Sequence, residues 1–140
     1  MDVDDRHLRA LLIERNSALR QVFTEALLEL DFEVTAVEGR KDALDAVLRA
    51  FSGLDVFVVD LVDPASEGGA FLALLAGQPA TFGVPVVVMT DGSGASGVPE
   101  QAASLVKPFG FEELRAAIEQ AFHNARALRF AGKAPSSSSP

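Results

Sequence analysis

Val56-Phe57-Val58-Val59-Asp60 and Val84-Pro85-Val86-Val87-Val88-Met89-Thr90 decide the fold. Each is a short apolar run rich in valine that ends on one polar residue, the pattern of a strand buried on both faces. Working outward, two further runs precede them, Leu8 to Ile13 and Phe32 to Val37, and a weaker one follows at Ser104 to Val106. Stretches of helical spacing lie between. Leu19, Val22, Phe23, Ala26, Leu27 and Leu30 form one stripe, and Ala43, Leu44, Val47, Leu48 and Phe51 a second. Phe71, Leu72, Leu74 and Leu75 follow the pair Gly68-Gly69, and a last stripe carries Leu114, Ile118, Ala121, Phe122, Ala125 and Leu128. Strict alternation of strand and helix implies a parallel sheet with helices on both faces, because parallel strands need long crossovers. Right-handed crossovers then put the first strand beside the second and third. The expected fold is α/β: a doubly wound, five-stranded parallel sheet in the order 2-1-3-4-5. Between Met89 and Leu105 the glycines Gly92, Gly94 and Gly97 and the proline Pro99 break the rhythm, so the helix due there is expected to be short or absent.

The 140 residues fit one domain, expected over 1–130, and Gly132 to Pro140, with four consecutive serines, reads as a disordered tail over 131–140. With no cysteine, thiolate metal sites, disulfides and cysteine nucleophiles are excluded. The 20 acidic residues against 12 Lys plus Arg give a net charge of −8, which argues against nucleic-acid binding. The run Val84 to Met89 is too short to cross a bilayer. Met1-Asp2-Val3-Asp4-Asp5 is acidic where a signal peptide would be basic, so a cytoplasmic protein without membrane contact is expected.

In open parallel sheets, chemistry sits at the carboxyl ends of the strands. Here those ends carry Glu14 and Arg15, Asp60, Thr90, and Lys107 with Pro108. A carboxylate, a hydroxyl and an ammonium converging on one rim suit a phosphoryl group, with the carboxylate as acceptor and the cation as anion partner. Polar residues at any single strand end are commonplace. Four ends together are not.

The chain resembles the receiver domain of two-component response regulators from about Leu8 to Leu128. Asp60-Leu61-Val62-Asp63-Pro64 followed by Gly68, Val86-Val87-Val88-Met89-Thr90, and Lys107-Pro108-Phe109 carry the resemblance. It implies that Asp60 is the phosphoacceptor, that Thr90 is the hydroxyl turning toward the phosphoryl group, and that Lys107 is its cationic clamp on a cis Lys107-Pro108 bond. Implied partners are a histidine kinase or phosphotransfer protein and a separate downstream effector, since no effector domain follows the last helix. The fifth strand and last helix are the implied docking face, and a homodimer is compatible with it.

Two departures set this chain apart. Receivers carry two acidic residues after the first strand, the second a direct magnesium ligand; here the pair is Glu14 and Arg15. The metal set would reduce to Glu14, Asp60 and the backbone of Val62. At ~5 Å and an effective dielectric of ~20, one unit charge pair is worth about 3 kcal/mol, so Mg2+ binding is expected to be weak or absent. Glu14, one methylene longer than aspartate, could still reach a metal, and Asp63 or Asp91 could restore negative charge. Receivers also place an aromatic switch residue three positions before the lysine, and here Ser104 stands in its place.

Arg15 has two open placements: an ion pair with Asp60, standing in for the cation, or a solvent-facing loop position. His7 and His123 lack metal-ligand spacing, and Glu112 and Glu113 suit the positive end of a helix. The leading expectation is an atypical, non-enzymatic, stand-alone response regulator receiver in a phosphorelay. The alternative is a receiver-like interaction module that works without phosphorylation. A flavodoxin-like enzyme is weaker, because no glycine-rich phosphate loop follows the first strand.

Overall fold

The computed structural model describes residues 7–50, 53–61, 70–73, 83–92, 98 and 101–138. Their elements are β1 (Leu8–Ile13), α1 (Ser17–Glu29), β2 (Phe32–Val37), α2 (Arg40–Ala50), β3 (Val56–Asp60), a short α3 of which residues 70–73 are described, β4 (Val86–Thr90), β5 (Ala103–Val106) and α4 (Phe111–Ser138). All strand pairs are parallel, and the order is β2-β1-β3-β4-β5. The doubly wound sheet that the alternation predicts is the one observed. No helix lies between β4 and β5 among the described residues; 93–97, 99 and 100 fall outside them.

Burial follows position in the sheet. The central strands β3 and β4 are buried along nearly their whole length, as valine-rich runs covered on both faces must be. The edge strand β5 instead alternates, with Ala103 and Leu105 inward and Ser104 and Val106 outward. Two cores result. One joins Leu12, Val58 and Met89 to Phe23 and Leu27 of α1 and to Leu114 and Ile118 of α4. The other joins Leu11, Phe57 and Val88 to Ala43 of α2 and to Phe71 and Leu72 of α3. Among the described residues no helix is long and apolar enough to cross a membrane.

The turn from β1 into α1 is fixed by Asn16, whose side-chain oxygen accepts from the backbone N–H of Leu19 at 2.9 Å. At the other end Asp31 takes the left-handed conformation, φ 72°, which short polar side chains tolerate, and the chain turns directly into β2.

Some expectations shift. Val22, placed in the buried stripe of α1, is 56% exposed. The stripe centres on Phe23 and Leu27, and a residue one step away is rotated about 100° off that line. Leu74 and Leu75, together with Phe51 of the second stripe, lie outside the described residues. The described backbone of α4 runs to Ser138.

Candidate functional site

Strand register brings the candidate residues to one rim. Ile13 pairs with Val59, so Glu14 emerges beside Asp60, and Thr90 pairs with Val106, so Lys107 emerges one step further along. The Lys107 ammonium donates to Glu14 Oε1 at 2.7 Å and to Asp60 Oδ1 at 3.1 Å. The Glu14 side chain is only 2% exposed, that of Asp60 13% and that of Lys107 15%. A carboxylate as buried as Glu14 is stable only with its charge compensated, and Lys107 supplies that compensation. Two carboxylates and one ammonium leave this inner cluster with a net charge of −1.

Backbone groups complete the arrangement. Glu14 Oε2 accepts from the Asn16 N–H at 3.1 Å, and the Glu14 N–H donates to the Val37 carbonyl at 3.0 Å. Thr90, 8% exposed at the end of β4, accepts from the Gly92 N–H through its hydroxyl at 3.3 Å. Its carbonyl accepts from the Lys107 N–H at 2.7 Å, which ties β4 to the lysine loop. The Lys107-Pro108 bond is cis, as the resemblance implies.

Arg15 is not part of the cluster. Its side chain is exposed and lines a surface hollow with Glu38, Gly39, Lys41 and Asp42. No ion pair joins it to Asp60 among the described residues, which corrects the first of the two placements considered for it. The cause is local. Arg20 Nη1 donates to the carbonyls of Glu14 and Arg15, at 2.8 and 3.3 Å, and holds the backbone of this turn. Inside, Lys107 already bonds both carboxylates. Ser104 lies exposed on β5, beside Val88 of β4.

The donor set can be weighed against the magnesium ion that such rims hold. Both oxygens of Glu14 are engaged, one by Lys107 and one by the Asn16 N–H, and Asp60 Oδ1 is bonded to Lys107. Asp91 is exposed, while Val62 and Asp63 lie outside the described residues. Among the described residues no three His, Cys, Asp or Glu side chains come together as a metal cage. Among the described residues, Glu14 and Asp60 are the two carboxylates at the rim, and Lys107 bonds one oxygen of each.

Two residues near the site escape a reading of strand ends alone. Arg20 also approaches Glu38 Oε2 at 3.9 Å, linking the turns after β1 and β2. Phe23 lies under the Lys107 ammonium, 5.6 Å from ring centroid to Nζ, and stacks on Phe109 with centroids 4.9 Å apart. Both sit on α1, where Arg20 reads as a surface charge and Phe23 as core.

No protein-family model matches the chain. It is 30% identical over 84 residues, 60% of its length, to the two-component response regulator-like APRR9 of Arabidopsis thaliana, and spans only 18% of that protein. Among solved structures, a response regulator receiver protein from Sinorhizobium medicae matches with a TM-score of 0.68 at 25% identity, over 86% of this chain and 98% of that one. The chain is a response regulator receiver domain by fold. The chemotaxis response regulator CheY4 of Vibrio cholerae shares that fold, with a TM-score of 0.71 at 21% identity over 83% of this chain and 99% of its own. Set on a receiver domain, Glu14, Asp60, Thr90 and Lys107 occupy the rim at the carboxyl ends of the strands, where α/β sheets of this order bind ligands.

Proposed function

We propose that this receiver domain serves two-component phosphorelay signalling in an atypical form, with Asp60 as phosphoacceptor and a magnesium site weakened by the arginine at position 15. The observation that supports it best is the single ammonium shared by Asp60 and Glu14 at the strand ends. In the transfer, an Asp60 carboxylate oxygen attacks the phosphorus of a phosphohistidine on a kinase or phosphotransfer protein. The O–P bond forms as the P–N bond breaks; the imidazole leaves with the electron pair and is protonated from solvent. Lys107, already 3.1 Å from Asp60, neutralises the growing negative charge, and the Thr90 hydroxyl on the next strand offers a donor to the phosphoryl oxygens. Asp60, Glu14 and the backbone of Val62 would hold a magnesium ion, which would offset charge on the phosphoryl oxygens, and its binding is weak in this reading because position 15 carries arginine in place of a carboxylate. The domain accepts one phosphoryl group stoichiometrically and is not an enzyme in the ordinary sense. Output passes to a separate effector, with the exposed side of β5 and the adjoining α4 as docking face.

One observation favours a second reading, an interaction module that works without phosphate. The position of the switch aromatic is Ser104, exposed on the edge strand, so the inward swing of a ring that reports phosphorylation has no ring to move. Intact-mass analysis after incubation with a small phosphodonor separates the two. A gain of one phosphoryl group, lost in Asp60→Asn, supports the acceptor role. An unmodified chain at every magnesium concentration overturns it in favour of the interaction module.

A further inference from the structure

We propose that Arg20 and Phe23, one turn apart on α1, are positioning residues that aim Lys107 and Glu14 at each other and at Asp60. The functional part of this inference rests on the acceptor reading above; the geometric part does not. Arg20 acts on the carboxylate side. Its guanidinium bonds the carbonyls of Glu14 and Arg15 and reaches Glu38 across the next turn. With the backbone of residue 14 held at both its N–H, on Val37, and its carbonyl, on Arg20, the Glu14 side chain can only run inward, where Asn16 and Lys107 receive it. The same grip leaves Arg15 facing solvent.

Phe23 acts on the ammonium side. An ammonium over a ring face is attracted to the negative side of the aromatic quadrupole, more strongly where water is scarce. Lys107 is 15% exposed and Phe23 7%, so the contact is largely dry. Phe109 stacks on the same ring at an interplanar angle of 22° and restrains its tilt. Carboxylates in front and a ring face below define one place for Nζ. Both constraints belong to a single helix, so a change in the seating of α1 is transmitted to both partners of the ion pair at once.

The test uses the full chain and reads the Lys107 side-chain ammonium by proton–nitrogen NMR, assigned through its loss in Lys107→Met. In the wild type the correlation should be protected from exchange with water, and the Lys107 ε-methylene protons should be shifted upfield by the ring below. Arg20→Gln and Phe23→Leu should each lose the ammonium correlation, while Arg20→Lys and Phe23→Tyr retain it. With a small phosphodonor the first two should lower the limiting rate of Asp60 modification about tenfold and leave the half-saturating donor concentration unchanged. Persistence of the ammonium signal in both truncated variants overturns the proposal. So does an absent upfield shift in the wild type, a measurement that requires no variant to fold. A wild type that is never phosphorylated defeats the acceptor reading, while the NMR result still decides the positioning role.

Discussion

Lys107 stands between two carboxylates, and their burial makes the three residues interdependent. Removing the ammonium in Lys107→Met leaves Glu14, at 2% exposure, charged without a cationic partner. We expect a loss of about 3 kcal/mol in urea unfolding, more than half of it recovered in Lys107→Met/Glu14→Gln, where the buried charge is gone as well. Arg15→Ala, by contrast, should leave unfolding unchanged within about 0.5 kcal/mol, because its side chain is exposed and outside the cluster. At this scale the polar residues closing the strands were legible: Glu14, Asp60, Thr90 and Lys107 fall at one rim once strands and order are known. The direction of the Arg15 side chain was not. It depends on two bonds from Arg20 to backbone carbonyls, and no side-chain pattern in a sequence encodes which carbonyl a guanidinium finds.

Among the elements, α1 bears most directly on the site, since it begins two residues after Arg15 and its cap touches Glu14. Asn16→Ala removes the bond to the Leu19 N–H and should cost about 1 kcal/mol in thermal or urea unfolding. Gly92, just past β4, has φ +85°, and a Cβ there would meet Val106 Cγ1 at 3.4 Å. Gly92→Ala should therefore destabilise by more than about 1 kcal/mol, read in the same assay. The strands were the readable elements, because valine runs buried on both faces leave few other interpretations. Helix faces were less so. Val22 has the chemistry of the stripe but not its angle.

For the whole molecule, a sheet packed on both faces carries the site at one edge, and the rigidity of the sheet keeps four side chains from four strand ends in register. Phosphorylation chemistry and partner choice are then local matters on a common frame, which is why likeness of fold alone does not say how the rim is used. What the rim lacks is the second acidic residue after β1, and the substitution that would return it is Arg15→Asp. The chain has no tryptophan or tyrosine, so calorimetry or NMR serves here better than intrinsic fluorescence. The decisive measurement is a magnesium titration of the wild type beside Arg15→Asp. The account predicts that the wild type binds the ion at least about tenfold more weakly, as the loss of one carboxylate ligand to a cationic residue requires. Equal or tighter binding by the wild type at millimolar magnesium would contradict it.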